Sequence, residues 1–291
     1  RAGQILQINK ASVLIIFKYR FKFHAHRSFR AHYTIFRSDI KAFLSFPYFL
    51  DSGRRRAYNS SSKTIFCTED LREMKDNSRT KFILSGIAFA LFCALILAVK
   101  FIDVRAIGPE GSSVGLSGIN EAVHNLFGVN LAWYKITDYL GCAAIAVAGC
   151  FALLGVYQLV TRKSLAKVDP DIYALAGCYA AAVLVYVIFE HAIVNYRPID
   201  LGSGLEASFP SSHTVLSLCI MSTAIEQLAR RIKNKALSAA LCIGCGVLGA
   251  VIVVGRLVSG VHWFTDILGG VLISLAILLA YLGACERFGK K

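Results

Sequence analysis

Three short segments in the second half of the chain carry residue types that could hold a phosphate group. They are Arg197-Pro198, then Pro210-Ser211-Ser212-His213, then Arg256 with His262 and Asp266. Arginine presents a planar fork of donors to phosphate oxygens, and the first turn of a helix offers unpaired backbone N–H groups to an anion. Together these segments predict a site that binds a phosphate dianion.

His262 is the candidate nucleophile of this site. A spacing of four residues would put His262 and Asp266 on one face of a helix, where the carboxylate could hold the imidazole with one nitrogen free to attack. His213 could then protonate the leaving oxygen. This chemistry needs no metal and no cofactor, so we expect neither.

Each of these residues, taken singly, has a simpler interpretation. An arginine at the end of an apolar span is usually an anchor that reaches the membrane interface, and a lone interfacial histidine is usually structural. The combination is harder to explain in this way, because ionisable residues near membrane depth are costly and tend to be functional.

The elements that must position these residues are membrane-spanning helices. The 291 residues are 56% hydrophobic and only 17% charged, with a mean hydropathy of +0.56, which is too apolar for an ordinary soluble domain. A helix needs about 20 apolar residues to cross the hydrocarbon core. Six such stretches are predicted, at 82–102, 139–160, 172–189, 214–229, 236–254 and 267–285. We therefore expect an all-α bundle of six transmembrane helices.

The distribution of basic residues predicts the orientation of this bundle. Clusters of Lys and Arg precede the first span, follow the second and the fourth, and end the chain. Cytoplasmic loops hold such residues in excess. We expect a multi-pass protein of the cell membrane with both termini in the cytoplasm and the phosphate site facing outside. The first outer loop, which begins at Gly108, could carry an interfacial helix over 119–127.

Residues 1–73 differ from the rest of the chain. They hold 14 Lys and Arg against 5 Asp and Glu and show no sustained periodicity. We expect either a basic extension that touches anionic lipid or sequence upstream of a true start at Met74, so that residues 74–291 form the membrane domain. Inner basic loops explain much of the remaining positive charge, so we expect no nucleic-acid partner.

The three segments resemble the signature of the type 2 phosphatidic acid phosphatase family. That signature reads Lys, six residues, Arg-Pro; then Pro-Ser-Gly-His or a close variant; then Ser-Arg, five residues, His, three residues, Asp. In this chain Arg256, His262 and Asp266 match the third part at its spacing. The resemblance covers the region from about Met74 onward and implies a six-helix fold of the type shared with haloperoxidases.

The resemblance also implies roles for the matching residues. Phosphate would bind to Arg197, Ser211, Ser212 and Arg256; His213 would be the acid, His262 would form a phosphohistidine, and Asp266 would orient it. Two positions depart from the signature. Gly255 replaces a serine, and Glu190 stands in place of the phosphate-binding lysine. We expect Glu190 to point elsewhere or to pair with an arginine, with His191 as an alternative donor.

The activity implied is hydrolysis of a lipid phosphate at the outer face. Undecaprenyl diphosphate, phosphatidylglycerol phosphate and phosphatidic acid are the candidate substrates. Two alternatives stay open: a lipid phosphotransferase that uses the same nucleophile, and a non-catalytic membrane scaffold or transporter that retains an anion site. The sequence does not predict an oligomeric state.

Overall fold

The computed structural model describes residues 77–202 and 204–289, and this region is helical without any strand. The helices are α1 (Ser78–Phe101), α2 (Ser117–Phe127), α3 (Leu131–Arg162), α4 (Pro170–His191), α5 (Ser212–Arg231), α6 (Lys235–Val258) and α7 (Phe264–Phe288). Two short 3-10 segments, Pro109–Gly111 and Leu165–Lys167, lie in the connections. The all-α prediction is confirmed, and the predictions for residues 1–73 fall outside the described residues.

Five helices in this region, namely α1, α3, α4, α6 and α7, are long and apolar enough to cross a membrane. The prediction of six crossings is therefore confirmed for five helices. The sixth, α5, has 20 residues but carries Ser, Thr, Glu and Gln along its length. These polar residues are tolerated because α5 packs against α3, α4, α6 and α7 and buries much of its surface in protein.

α3 begins at Leu131, about two turns before the predicted start at residue 139. The Asn130 side chain caps it by accepting hydrogen bonds from the backbone N–H groups of Ala132 and Trp133, at 3.1 and 3.2 Å. Such a cap satisfies donors that the first turn leaves unpaired. The extra turns are helical although they contain Lys135 and Asp138, whose charges placed them outside the predicted apolar stretch.

Ion pairs join one end of the bundle. Lys81 at the start of α1 lies 2.7 Å from Glu286 at the end of α7. Arg231, the last residue of α5, reaches Asp169 and Asp171 at the start of α4, at 3.2 and 2.8 Å. The basic clusters therefore lie together at this end, and the start of α5 and the connection between α6 and α7 lie at the other.

The loop between α4 and α5 packs on an aromatic cluster. The ring of Phe209 stacks on Phe92 of α1 with centroids 5.8 Å apart, and it meets Phe189 of α4 edge to face at the same separation. Gly269 of α7 makes room for this contact, because a Cβ there would lie 2.5 Å from the Phe209 ring. The cluster anchors the loop directly before the first turn of α5.

Candidate active site

The three segments singled out by the sequence meet at the end of the bundle opposite the ion-paired one. The Trp263 indole donates to the carbonyl oxygen of Tyr196 at 2.8 Å, which ties the start of α7 to the loop after α4. The backbone N–H of Ser211 donates to the carbonyl oxygen of Asp266 at 3.1 Å, which ties the start of α5 to α7. Trp263 is thus buried.

His262 lies in the turn between α6 and α7, directly before α7 rather than on it. Its Nδ1 lies 3.1 Å from Ser208 Oγ and 3.6 Å from Asp266 Oδ2. The Ser208 hydroxyl donates to Asp266 Oδ2, so it accepts a hydrogen bond from Nδ1–H. Ser208 therefore links the ring to the carboxylate, and this arrangement keeps the proton on Nδ1.

Asp266 also holds the start of α7. Its Oδ2 accepts a hydrogen bond from the backbone N–H of Trp263 at 2.8 Å, as the third residue of a helix does in a capping box. The same carboxylate thus caps α7 directly after the turn that carries His262 and accepts a hydrogen bond from the Ser208 hydroxyl. The position of the imidazole depends on a local helix cap.

The other nitrogen of the His262 ring, Nε2, is buried and has no hydrogen-bond partner within the described part of the chain. Burial lowers the pKa of His262 well below its ordinary value of 6.5, and the positive charges of Arg197, Arg256 and His213 lower it further. The imidazole is therefore neutral near pH 7. Since Nδ1 carries the proton, Nε2 presents a lone pair.

Arg197 lies in the loop between α4 and α5, where two irregular segments pair through backbone hydrogen bonds. Its backbone N–H donates to the carbonyl oxygen of Glu206 at 3.1 Å, and its Nε lies 2.9 Å from the Glu206 carboxylate. The buried Nη1 makes no hydrogen bond to any described residue. Glu206 thus holds the guanidinium from one side and leaves a donor unused.

Arg256 lies in the last turn of α6, with only 1% of its side chain exposed. Its Nη2 donates to Asp138 Oδ1, and its guanidinium lies over the Tyr134 ring at 4.9 Å from the centroid. Like Arg197, it has a buried donor without a partner among the described residues, in this case Nε. A buried cation with an unused donor is suited to hold an anion.

The first turn of α5 completes the site. Ser211 is the N-cap and is fully buried, and its Oγ accepts a hydrogen bond from Thr214 Oγ1 at 3.1 Å. Ser212 and His213 follow as the first helical residues, where backbone N–H groups have no partner within the helix. His213 Nε2 lies 3.1 Å from Asp138 Oδ1.

Glu190 and His191 end α4, and both are exposed. His191 Nδ1 lies 2.9 Å from the carbonyl oxygen of Val187 one turn earlier, so the ring folds back on its own helix. The ion pair of Arg197 is with Glu206, not with Glu190.

Sequence reasoning missed Asp138 and Ser208. The predicted span begins at residue 139, one position after Asp138, and no local pattern relates Asp138 to Arg256, which lies 118 positions further on. Ser208 stands two residues before Pro210, and its polar side chain beside a phosphate-binding segment was the only available signal. Within the described residues, no group of three or more His, Cys, Asp or Glu side chains could hold a metal ion.

Comparison with known proteins defines the class. The family model of the PAP2 superfamily matches residues 141–288. A crystal structure described as the first transmembrane PAP2 type phosphatidylglycerolphosphate phosphatase from Bacillus subtilis matches with a TM-score of 0.52 and 19% identity, over 71% of this chain and 97% of that chain. No curated protein sequence matches this chain significantly.

The fold is therefore that of a PAP2-type membrane phosphatase, within an integral, multi-pass membrane protein. The chain belongs to the PAP2 superfamily. Family membership supports a phosphatase that acts on a lipid phosphate.

Proposed function

We propose that this protein hydrolyses a phosphomonoester or diphosphate of a membrane lipid through a phosphohistidine formed on His262. One observation carries the proposal. The neutral ring of His262 is buried, with Nδ1 held by Ser208, Nε2 without a hydrogen bond to any described residue, and two arginines whose charges act on the ring and which each have an unused donor. A lone pair surrounded by cationic donors is the arrangement that attack on a phosphate requires.

The reaction runs in two displacements. In the first, His262 Nε2 attacks phosphorus and the bond to the leaving oxygen breaks while His213 supplies a proton to that oxygen. In the second, the now neutral His213 takes a proton from water, the water oxygen attacks phosphorus, and the bond to Nε2 breaks to release phosphate. Arg197, Arg256 and the N–H groups of the first turn of α5 would stabilise the negative charge on the equatorial oxygens.

The proposed substrate presents its headgroup at the outer face, with the six helices α1 and α3 to α7 all crossing the bilayer. Candidates are undecaprenyl diphosphate, phosphatidylglycerol phosphate and phosphatidic acid. The positive-inside distribution of Lys and Arg supports this orientation, because the site lies at the end opposite the clusters. The proposal includes metal independence, so purified protein should release phosphate from at least one of these lipids in the presence of EDTA. Strict dependence on a divalent ion would count against it.

Substitutions test the roles of the site residues. His262→Ala should abolish phosphate release, because no other group can form the intermediate. Arg197→Ala should cost on the order of 3 kcal/mol of transition-state stabilisation, as the loss of one preorganised donor does elsewhere. His191→Ala is the matched control, and because its ring folds back on α4 we expect it to keep most activity. Near-normal turnover in both His262→Ala and Arg197→Ala would refute the assignment.

Glu190→Lys restores the residue of the family signature. Because Glu190 is exposed at the end of α4, we expect activity equal to or higher than that of the wild type. A sharp loss would show that Glu190 has a role of its own. Transfer of labelled phosphate to an added lipid or sugar alcohol instead of water would identify a phosphotransferase, and the absence of any phosphate release that depends on His262 would identify a non-catalytic protein.

A further inference from the structure

Asp138 of α3 contacts two of the groups that would bind phosphate in the proposed mechanism. Its Oδ1 accepts a hydrogen bond from Arg256 Nη2 and lies 3.1 Å from His213 Nε2. Arg256 is the proposed phosphate ligand, and His213 Nε2 is the nitrogen that would face the leaving oxygen. A single carboxylate oxygen therefore occupies one hydrogen-bond donor of Arg256 and one of His213.

The geometry of α3 builds this contact into the fold. Tyr134, one turn before Asp138, lies under the Arg256 guanidinium. Gly141, three residues after Asp138, lets the His213 ring approach, because a Cβ there would lie 3.0 Å from His213 Cδ2. Residues three and four apart share one face of a helix. That face of α3 forms a wall of the site.

Burial distinguishes the two members of the ion pair. The Arg256 side chain is 1% exposed, whereas 41% of the Asp138 side chain is exposed. The arginine side chain is thus held in place by the protein, whereas the carboxylate can rotate toward solvent. A phosphate oxygen that binds between Arg256 and His213 must replace Asp138 Oδ1, since two anions cannot share these donors without strong repulsion.

We propose that Asp138 is a built-in competitor of phosphate: its carboxylate takes the contacts of a phosphate oxygen with Arg256 and His213 in the free enzyme and is displaced when a phosphate binds. This inference rests on the proposed function of the site. Displacement costs part of the binding energy, so Asp138 weakens the binding of inorganic phosphate, the product, and favours its release.

Glu206 provides a contrast within the same site. Its carboxylate pairs with Nε of Arg197, to which it is already joined through the backbone, and Nη1 of Arg197 stays unused. Glu206 holds its arginine from the side, and its ion pair involves Arg197 and neither histidine of the site. The competitor role therefore belongs to Asp138.

Binding of inorganic phosphate to the purified full-length protein, measured by titration calorimetry, tests this proposal. Asp138→Asn keeps the size of the side chain and removes its charge. We expect the Kd for phosphate to fall by about fivefold, the factor that corresponds to the upper range of partly exposed ion pairs. Glu121→Gln, an exposed acid on α2 that pairs with Arg105, removes the same charge away from the site and should leave the Kd unchanged.

An unchanged or higher Kd in Asp138→Asn would overturn the proposal and would show instead that Asp138 orients Arg256. An equal decrease in Glu121→Gln would also overturn it, because the effect would then be one of net charge. Asp138→Ser is the second neutral variant, in case the asparagine protein does not fold. Asp138→Glu retains the charge, so tighter phosphate binding in that variant would contradict the proposal.

The outcome is separable from that of the proposed function. Phosphate binding is measured without turnover, so loss of hydrolysis in His262→Ala and tighter binding in Asp138→Asn are independent results. If the wild type hydrolyses lipid phosphates and Asp138→Asn binds phosphate no more tightly, only the competitor role fails. If the wild type releases no phosphate from any lipid, the proposed function fails.

Discussion

The two nitrogens of the His262 ring face different surroundings, and this difference supports the proposed role of His262 as the nucleophile. Nδ1 is directed at Ser208, whose hydroxyl donates onward to Asp266, while Nε2 is buried without a hydrogen bond to any residue from 77–202 or 204–289. A histidine tautomer is set by the hydrogen bond of its other nitrogen. Ser208 is thus a positioning residue for His262, acting between the imidazole and the carboxylate.

Ser208→Ala should reduce kcat more than it changes KM. The variant removes the acceptor of Nδ1–H, whose hydrogen bond would strengthen as the ring becomes positive on attack. A loss of roughly 1–3 kcal/mol from the transition state corresponds to about a 5- to 150-fold loss of rate. Steady-state kinetics on a lipid phosphate measure this loss of rate. Ser85→Ala is the control, since the Ser85 hydroxyl donates to the carbonyl oxygen of Ala276 away from the site. The double variant with Asp266→Asn should lose little more than Asp266→Asn alone, because both residues act through one linkage. Additive losses would contradict the linkage.

The buried neutral imidazole also predicts how stability depends on pH. The folded-state pKa of His262 is below the ordinary value of 6.5, so the unfolded chain takes up a proton first as the pH falls. The contribution of His262 to the free energy of unfolding is therefore complete above about pH 6.5 and is lost as the pH falls toward the lower folded-state pKa.

Thermal unfolding at about pH 7.5 and about pH 5.5 measures this contribution. The wild-type Tm should decrease more between these conditions than that of His262→Asn, which has no proton to take up at this position. Equal decreases in the two proteins would show that protonation of His262 does not oppose folding.

At the scale of elements, the approach of α3 to α6 decides the shape of the site. Gly255, where the family signature has serine, faces α3, and a Cβ there would lie 2.5 Å from Thr137 Cγ2 and 3.1 Å from the Trp133 ring. Thr137 is buried and is the neighbour of Asp138. The glycine thus has a packing reason: it lets α3 lie close enough for Asp138 to reach Arg256.

Gly255→Ser should lower both Tm and activity although it restores the signature residue. Forcing a side chain into this contact is expected to cost about 1–3 kcal/mol, and it would move Asp138 together with α3. Gly244→Ser on the same helix is the control, because nothing lies within 4 Å of a Cβ built there. Wild-type stability and activity in Gly255→Ser would refute this interpretation of the close approach.

The connection between α1 and α3 also supports the site. Asn120 of α2 donates to Thr265 Oγ1 at 3.0 Å and accepts from the Thr265 backbone N–H at 3.1 Å, beside Asp266. Gly260 adopts a φ of +68°, and a Cβ there would lie 2.0 Å from the carbonyl oxygen of Gly128. The predicted interfacial segment is therefore a helix that braces the turn carrying His262.

At the scale of the whole molecule, the two ends of the bundle carry different kinds of charge arrangement. At one end, basic clusters pair with Asp169, Asp171 and Glu286 and hold the helix ends together. At the other, the charges of Arg197 and Arg256 act on the buried His262, and each arginine retains an unused donor. If the basic end faces the cytoplasm, as the positive-inside distribution indicates, a phosphate reaches the site from outside.

Labelling of single introduced cysteines tests this orientation. Ser113→Cys lies in the loop between α1 and α2, near the end of the bundle that carries the site, and Ala166→Cys lies between α3 and α4 at the ion-paired end. In intact cells a membrane-impermeant maleimide should modify the first and not the second, above the background of the wild-type cysteines. After permeabilisation both should react. Labelling of Ala166→Cys alone in intact cells would reverse the proposed orientation.

The sequence by itself determined the helical class, most of the membrane-crossing stretches and the family. These features depend on local properties of the sequence. An apolar run must match the thickness of the bilayer, and Arg256 and Asp266 lie in one short segment whose spacing is visible in the sequence. Only the tertiary structure decided that α5 is enclosed by its neighbours, that Ser208 stands between His262 and Asp266, and that Asp138 pairs with Arg256. These contacts join residues up to 118 positions apart, and they depend on how far each helix slides and rotates against the next, which no local pattern records.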